Sequence, residues 1–317
     1  MTYWFSRSPG AQAFEKCEEK RCTLVENLNE SDVVTMSGSY MATFVHDFKL
    51  PYRKSPNQRW VFFAIESPQH FHVQEKYLNR SLFNVTFTYK STSHVHYPYG
   101  FMVNRTAPYK HDVHKNWSKK KDVAWLVSHC DTPSKREVYV GELKKYINVT
   151  TYGNCGVPCP KDGDKSGWGA CTNHLRDNYK FYLAFENSFC KEYITEKLWR
   201  TLNIGILPIV FGGADYKAML PQNSYIDVQD FKSPQLLAEY LKVLSANVTL
   251  YEKYFQWKKQ YDISCSYYPI ATCNLCKHLH LTKNAEPYSV DMKTFWNIDK
   301  DCMKRDEYLT KVGISTE

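Results

Sequence analysis

The sequence predicts an α/β fold with two β/α domains that face a cleft. The chain has 317 residues, a length that suits two domains better than one. Strands and helices alternate along its second half, which is typical of a parallel sheet covered by helices. Within that half, residues 181–213 predict a strand, a polar turn, a helix and a second strand in succession.

Short strands dominate the first part of the chain. Residues before position 30 are polar and irregular, and turn-rich stretches such as residues 51–59 separate the strands that follow. The predicted strands cover residues 33–36, 60–65 and 84–89. Residues 104–121 are polar and basic, which is typical of a connection between domains. We therefore predict a first domain over residues 1–115, with an irregular, stem-like start.

A regular alternation of predicted strands and helices begins at residue 122. The predicted strands cover residues 122–128, 147–152, 181–185, 206–211 and 224–228, and the predicted helices cover residues 135–145, 193–202, 234–244 and 249–261. A loop is expected over residues 153–174. This alternation predicts a second domain over residues 116–280. The remaining tail, residues 281–317, is expected to pack back on the first domain.

The turn Glu186-Asn187-Ser188 lies between the end of a predicted strand and the N-terminus of a predicted helix. In α/β sheets this is the usual place for a phosphate-bearing ligand, because the helix dipole and its free N–H groups favour negative charge. The same residues are also common helix and turn caps, and both roles can hold at once. The net charge of +8 suits an anionic ligand. Nucleic acid is not expected, because no basic run exceeds three residues and no nucleic-acid motif is present.

Cysteines and glycosylation triplets indicate a secretory compartment. Seven N-x-Ser/Thr triplets begin at Asn29, Asn79, Asn84, Asn104, Asn116, Asn148 and Asn247, and there are eleven cysteines. The candidate disulfide cysteines fall in short-spaced groups, namely Cys17 and Cys22, then Cys155, Cys159 and Cys171, then Cys273 and Cys276. Their connectivity stays open, and the odd total leaves at least one cysteine unpaired or bonded to another chain. Zinc at Cys273, Cys276, His278 and His280 is the alternative explanation.

No run of roughly 20 apolar residues, the length that spans a bilayer, occurs in the sequence. The first ten residues also lack the apolar region of a signal peptide. A secretory protein needs an entry signal. We therefore expect a luminal fragment or an incomplete gene product whose membrane anchor lies upstream.

Several blocks resemble the α1,3-fucosyltransferases. The most specific is FYLAFENSFCKEYITEKLW (181–199) with LPIVFG (207–212). Supporting blocks are AIESPQH (64–70), FNVTFTYKSTSHVHYPYG (83–100), WLVSHC (125–130), KREVYVGEL (135–143) and SYIDVQDFKSP (224–234). The loop YGNCGVPCPK (152–161) is most similar to the invertebrate and plant enzymes that fucosylate the N-glycan core.

This resemblance implies a GT-B fold, with two Rossmann-like domains. It implies that the first domain binds the acceptor glycan and the second binds GDP-fucose. It further implies an inverting transfer of L-fucose from GDP-β-L-fucose to a GlcNAc hydroxyl of a glycoprotein glycan, in α1,3 linkage. Members are type II membrane proteins of the Golgi, so the expected location is the Golgi lumen, with an anchor that this chain lacks.

The resemblance also assigns roles to individual residues. Glu66 matches the family's catalytic base, and its alternative role is a surface carboxylate at a strand end. Arg136 and Lys197 match cations that contact the diphosphate, although exposed helical cations are usually just solvated. The remaining donor-binding candidates, which would bind the fucose, ribose or phosphate groups, are Asn187, Tyr193 and Glu196.

No metal site is expected. Asp162 and Asp164 imitate the D-x-D metal motif, but they lie in a Gly- and Lys-rich stretch that predicts a solvent loop. The pair His94 and His96 is expected to pack rather than to bind metal. Because cationic side chains serve the diphosphate, no cofactor is essential and a divalent metal would at most stimulate. The alternative function is a catalytically inactive glycan-binding relative of the same fold. Two other functions fit the sequence less well: a glycoside hydrolase, and a structural protein held together by disulfides. Neither needs a phosphate-binding turn in an α/β core.

Overall fold

The structure is a computed structural model that describes residues 10–42, 49–78, 81–109, 116–160, 167–265, 268–285 and 288–315. Asn79 and the pair Asp162 and Asp164 lie outside these ranges. Within them, no helix has both the length and the apolar composition needed to cross a membrane.

Strands and short helices alternate along the described ranges. The strands are β1 (Val33–Ser37), β2 (Arg59–Ala64), β3 (Val85–Thr88), β4 (Val95–His96), β5 (Gly100–Asn104), β6 (Lys121–Leu126), β7 (Val149–Tyr152), β8 (Tyr179–Phe185), β9 (Leu207–Phe211), β10 (Ile226–Asp227) and β11 (Tyr261–Cys265). The helices are α1 (Glu75–Leu78), α2 (Arg136–Leu143), α3 (Gly167–Asn178), α4 (Glu196–Ile204), α5 (Tyr216–Met219), α6 (Pro234–Ala246), α7 (Val248–Glu252), α8 (Tyr268–Leu281), α9 (Met292–Phe295), α10 (Ile298–Asp301) and α11 (Arg305–Lys311). Short 3-10 turns cover Gln12–Phe14, Gly38–Met41, Trp117–Lys119, Val228–Asp230 and Lys253–Lys259.

The chain forms two compact units that interleave in sequence. The first comprises Met1–Tyr99 and Ser266–Cys302, and the second comprises Gly100–Cys265 and Met303–Glu317. These divisions differ from the predicted boundaries after residues 115 and 280. The strand β5 belongs to the second unit because it pairs antiparallel with β11, with Asn104 opposite Tyr261. The helix α8 belongs to the first unit because Ala271 and Leu275 pack on its sheet.

The first unit contains a parallel sheet in the order β1-β2-β3-β4. Apolar residues of β2 and β3 on one face, including Val61 and Val85, pack against Leu275 of α8. On the carboxyl side, Lys90 forms a buried ion pair with Asp301, with 2.7 Å between Nζ and Oδ2. The predicted pair of histidines is held within this sheet: the Thr86 N–H donates to Nδ1 of His94 at 3.1 Å, and Nε2 of His96 lies 3.0 Å from the Tyr89 carbonyl oxygen.

The second unit contains a parallel sheet in the order β10-β9-β8-β6-β7. Every residue of the central strand β8 is buried, which fits a parallel strand covered by helices on both faces. Ser233 caps the start of α6: its side chain accepts a hydrogen bond from the Leu236 N–H, and Pro234 is the first residue of the helix. Gly205 caps the end of α4 with a φ of 81°, a conformation that glycine adopts without strain.

Two parts of this architecture differ from the prediction. The last part of the predicted loop 153–174 is helical, since α3 begins at Gly167. The glycines in this segment favoured the prediction of a loop. The predicted helix 249–261 is instead the short helix α7 followed by a 3-10 segment, Lys253–Lys259, and the strand β11. The other predicted strands and helices are present, with ends displaced by a few residues.

All seven predicted disulfide cysteines are bonded. The pairs Cys17–Cys273 and Cys22–Cys276 join the N-terminal segment to α8, and the pairs Cys130–Cys155 and Cys159–Cys171 lie in the second unit. The sulfurs that the zinc alternative requires are therefore engaged in disulfides. Ten of the eleven cysteines are disulfide-bonded, and Cys265 keeps its thiol.

Candidate active site

The second sheet reverses its strand order between β6 and β8. The chain passes from β6 to β7 on one side, then crosses to β8 on the other side and continues outward to β9 and β10. In open parallel sheets, ligands bind in the crevice outside the carboxyl ends of the strands at such a reversal. The loops that follow β6 and β8 therefore border the candidate site.

The turn after β8 is polar and buried. Glu186 and Ser188 are fully buried, and Asn187 is nearly so. The Thr195 N–H donates to Oε1 of Glu186 at 2.8 Å, and the Thr195 hydroxyl donates to Oε2 at 2.8 Å. Thr195 is the residue that caps the start of α4. The Glu186 carboxylate therefore fixes the N-terminus of α4 against the end of β8.

Lys197 supplies the positive charge beside this buried carboxylate. Its Nζ lies 3.3 Å from Oε2 of Glu186, 2.8 Å from the Thr195 hydroxyl and 3.4 Å from Oε1 of Glu196. Burial raises the pKa of Glu186, and the charge of Lys197 opposes that increase. For Glu196, burial is outweighed by Lys197, the first amide groups of α4 and Arg200, so its pKa lies below the usual range. The ammonium group thus stands between two carboxylates at a helix N-terminus.

Arg136 is the first residue of α2 and is 97% buried, since only 3% of it is exposed. Its Nη1 donates to the Phe185 carbonyl oxygen at 2.5 Å, and its Nη2 donates to the His129 carbonyl oxygen at 3.4 Å. Among the described residues, its Nε has no hydrogen-bond partner. Burial lowers the pKa of Arg136, and the charge of Glu186 acts in the opposite direction. A buried guanidinium is thus bound to the carbonyl at the end of β8.

Backbone and side-chain hydrogen bonds join the loop after β6 to the turn after β8. The Ser134 hydroxyl donates to the Glu186 carbonyl oxygen at 2.8 Å, and the Ser134 N–H donates to the Asn187 carbonyl oxygen at 2.9 Å. The disulfide Cys130–Cys155 ties the same loop to the one that follows β7. The two walls of the crevice are therefore fixed to each other before any ligand arrives.

The strand β9 contributes a glycine pair to this edge of the sheet. A side chain on Gly213 would collide with the backbone of Phe189, and one on Gly212 would meet the Tyr216 hydroxyl and Glu186. Only glycine allows this close approach, so the pair lets the loop after β9 pack directly on the turn after β8.

The structure brings five predicted residues together at the reversal of the sheet. Arg136 comes from the start of α2, and Asn187, Tyr193, Glu196 and Lys197 come from the segment after β8. Tyr193 is fully buried, whereas the Glu196 side chain is 35% exposed and that of Lys197 is 18% exposed. Glu196 and Lys197 are therefore the members of this group with the most access to solvent.

Ser134 was not predicted, although it links the two loops. Its signal in the sequence is the segment Thr132-Pro-Ser-Lys-Arg136, a typical helix start. That pattern indicates a cap for α2. It does not indicate that Ser134 bonds the turn after β8, because this contact is between residues 52 positions apart.

Glu66 belongs to the first unit. It follows the carboxyl end of β2 by two residues, and β2 is an interior strand of that unit's parallel sheet. The residue is half-buried, and the turn after it is closed by the Phe71 N–H, which donates to the Ser67 carbonyl oxygen at 2.9 Å. This edge of the sheet, like that in the second unit, is the one where ligands bind in parallel α/β sheets.

Two family models match the chain. The one described as glycosyltransferase family 10 (fucosyltransferase) C-term covers residues 116–296, and the one described as fucosyltransferase, N-terminal covers residues 1–100.

Curated proteins of this kind are also similar. Alpha-(1,3)-fucosyltransferase C of Drosophila melanogaster is 39% identical over 73% of this chain and 57% of its own length. Glycoprotein 3-alpha-L-fucosyltransferase A of the same species is 34% identical over 92% of this chain and 57% of its own length. The 4-galactosyl-N-acetylglucosaminide 3-alpha-L-fucosyltransferase 9 of Rattus norvegicus is 34% identical over 77% of this chain and 66% of its own length. The chain thus spans less than two thirds of these relatives.

Solved structures share the fold. An α1,3-fucosyltransferase crystallised with GDP-fucose superposes with a TM-score of 0.53 at 19% identity, covering 84% of this chain and 82% of the other. The same enzyme class crystallised with GDP superposes with a TM-score of 0.54. At this identity the likeness concerns the fold, and it confirms the predicted GT-B class. With both family models matching in sequence order, the chain belongs to glycosyltransferase family 10, the fucosyltransferases.

Proposed function

We propose that this protein transfers L-fucose from GDP-β-L-fucose to a GlcNAc hydroxyl of a glycoprotein glycan, forming an α1,3 linkage with inversion. The observation that carries the proposal is the pair of cations, Arg136 and Lys197, at the strand reversal between β6 and β8. Family membership and the names of the relatives support the choice of fucose and GlcNAc.

The second unit binds the donor. Arg136 and Lys197 neutralise the diphosphate as negative charge develops on it, and the N-termini of α2 and α4 add their dipoles to the same region. Glu196 accepts hydrogen bonds from sugar hydroxyls, and its low pKa keeps it ionised for that purpose. Asn187 and Tyr193 complete the donor contacts from the turn. The hydrogen bonds of Ser134 and Glu186 hold these groups in place before the donor binds, which avoids an ordering cost during the reaction.

Glu66 acts as the base. An inverting transfer needs one carboxylate to take the proton of the acceptor hydroxyl as that oxygen attacks the anomeric carbon and the bond to the diphosphate breaks. GDP leaves with the electron pair of that bond. Glu66 stands at the ligand-binding edge of the first unit's sheet, as a base for an acceptor bound there requires.

The reaction proceeds without an essential metal, since two cationic side chains serve the leaving group. A divalent cation would at most stimulate the rate. Activity that survives chelation by EDTA is the expected result, and complete loss that added Mn²⁺ or Mg²⁺ restores would contradict it.

The acceptor is an N-glycan on a glycoprotein, and the compartment is the lumen of the Golgi, where the protein acts at the membrane. Ten disulfide-bonded cysteines and a high density of glycosylation triplets support a secretory setting.

Incubation of the purified chain with GDP-fucose tests this function. The acceptors are an N-glycan with an unmodified GlcNAc core and a lactosamine-terminated glycan, and products are detected by mass spectrometry. Fucosylation of either acceptor is the expected outcome, and linkage analysis then identifies the modified GlcNAc. Saturable binding of GDP-fucose with no product from any acceptor would instead favour the inactive glycan-binding relative.

A further inference from the structure

Glu66 lies past the end of β2, where the sheet no longer holds the chain. The register of β2 with β3 ends at Ala64, opposite Thr88, and Glu66 follows Ala64 by two residues. A general base has to keep its geometry to act, because a displacement on the order of 1 Å can cost about 100-fold in rate. Contacts outside the strand ladder must therefore fix the backbone of Glu66.

A closed turn holds the chain on the carboxyl side of Glu66. Ser67 and Pro68 are buried. The Ser67 carbonyl oxygen accepts hydrogen bonds from the His70 N–H at 3.1 Å and from the Phe71 N–H at 2.9 Å. The Ser67 hydroxyl oxygen accepts a further bond from the His70 N–H at 3.1 Å. The residue that follows Glu66 is therefore fixed in place.

A tyrosine hydroxyl holds the chain on the amino side of Glu66. The Tyr99 hydroxyl donates to the Ile65 carbonyl oxygen at 2.8 Å, across 34 positions of sequence. That oxygen belongs to the same planar peptide group as the Glu66 N–H. The bond from Tyr99 therefore fixes the plane from which the Glu66 backbone continues.

The segment that carries Tyr99 is itself anchored to the sheet. The Tyr97 N–H donates to the Thr88 carbonyl oxygen at 2.8 Å, at the end of β3. The Tyr97 ring stacks on the ring of Phe87, with 5.5 Å between centroids and 26° between planes. Pro98 then restricts the backbone that leads to Tyr99. The tyrosine hydroxyl thus projects from a support that is fixed to β3.

We propose that Tyr99 is a positioning residue for the base, and that its hydroxyl holds the Ile65–Glu66 peptide so that the Glu66 carboxylate meets the acceptor hydroxyl. This role rests on the proposed transfer and on Glu66 as its base. The carboxylate takes the acceptor proton, and Tyr99 takes no part in the bonds that form and break. Because Tyr99 acts only through Glu66, its loss should slow the transfer without weakening donor binding.

Tyr99→Phe removes the hydroxyl and keeps the ring. With both substrates saturating, we expect kcat to be about tenfold lower, because the base is less well placed. GDP-fucose affinity should be unchanged, and the thermal midpoint should fall by a few degrees at most, as for one lost hydrogen bond. Tyr251→Phe is the matched control. Its hydroxyl donates to the Lys180 carbonyl oxygen at 2.6 Å near the start of β8, so it loses the same kind of bond and should transfer at the full rate.

The double variant Glu66→Gln with Tyr99→Phe tests whether Tyr99 acts through the base. It should be no slower than Glu66→Gln alone, because residues that act as a unit have non-additive effects. Absence of transfer by the original chain would overturn the proposed function and this role together. With an active original chain, the positioning role alone is overturned by any of three results. These are transfer by Tyr99→Phe at the original rate, weaker GDP-fucose binding by Tyr99→Phe, or a double variant slower than Glu66→Gln by the full factor of the tyrosine change.

Discussion

The Lys197 ammonium group pairs with a buried carboxylate, and the same group is proposed to bind the diphosphate. The Glu186 side chain is 1% exposed, and Lys197 is the cation within 3.3 Å of it. Removing one member of a buried pair leaves the other charge uncompensated, which costs about 3 kcal/mol or more. We therefore expect Lys197→Met to be destabilised by about that amount in urea unfolding, and to lose GDP affinity as well.

The double variant Glu186→Gln with Lys197→Met separates the two effects. The glutamine keeps the hydrogen bonds to Thr195 and removes the buried charge, so most of the lost stability should return while GDP affinity stays low. Lys242→Met, an exposed change on α6, is the matched control. GDP binding by the double variant at the original affinity would assign Lys197 a structural role only.

Asp227 makes stability depend on pH. It lies at the carboxyl end of β10 and is 7% exposed, and burial raises its pKa to about 6. The folded state therefore holds this proton more tightly than the unfolded state, in which the carboxyl has its ordinary pKa of 3.8. The resulting stabilisation is full below about pH 4 and is lost as the pH rises through 6.

Asp227→Asn should consequently be more stable than the original chain at pH 7. At about 1.36 kcal/mol for each pKa unit, the difference is roughly 3 kcal/mol, and it should vanish near pH 4. Asparagine can keep the hydrogen bond that Asp227 accepts from the Gln229 N–H at 2.9 Å. Urea unfolding between pH 4 and pH 7.5 provides the measurement. A difference that stays constant across this range would show that the carboxyl group does not titrate as described.

At the scale of elements, local patterns predicted the parallel sheets well. The strands β2, β8 and β9 are predominantly apolar and almost wholly buried, and buried parallel strands have this composition because both faces are covered. The pairing of β5 with β11 could not be predicted, since it joins residues 100–104 to residues 261–265 and neither segment is distinctive by itself. The division of the chain into units depends on that pairing, which is why the predicted boundaries differ from the observed ones.

The glycosylation triplet at Asn84 is expected to stay unmodified because its amide is part of the fold. Oδ1 accepts the Trp60 N–H at 2.9 Å, and Nδ2 donates to the Tyr288 carbonyl oxygen at 2.8 Å. A glycan on Nδ2 would have to displace the Tyr288 carbonyl from this amide. The exposed candidates in the described ranges are Asn29, Asn104, Asn116, Asn148 and Asn247.

Glycopeptide mass spectrometry of the chain secreted from insect cells tests this expectation. Asn148, in the exposed turn before β7, is the matched control, because its triplet has the same sequence, Asn-Val-Thr. We expect a glycan at Asn148 and none at Asn84. Equal occupancy at the two sites would mean that the Asn84 side chain is accessible during folding.

At the scale of the whole molecule, each unit contributes one part of the proposed chemistry. Arg136 precedes β7 and Lys197 follows β8, so their positions in the sequence do not indicate that they lie close together. Their proximity follows from the order β8-β6-β7, in which a later strand inserts beside an earlier one. The candidate site residues were identified largely through the family resemblance. The buried network of Glu186, Thr195 and Ser134 that holds them required the structure.

The pairing of the cysteines could not be predicted from the sequence either. The short-spaced cysteine groups were recognisable, yet Cys17 bonds Cys273 across 256 residues rather than its neighbour Cys22. Sequence spacing does not encode this connection, because it depends on α8 returning to the first unit.

The assignment of Glu66 as the base is the central claim, and transfer by Glu66→Gln tests it most directly. Initial rates of fucose transfer and GDP-fucose affinity are measured together for this variant, with Glu75→Gln, an exposed carboxylate on α1, as the control. We predict unchanged donor affinity and a rate at least about 100-fold lower for Glu66→Gln, the usual loss when a general base is removed, with full activity for the control. Transfer by Glu66→Gln at the original rate would contradict the account.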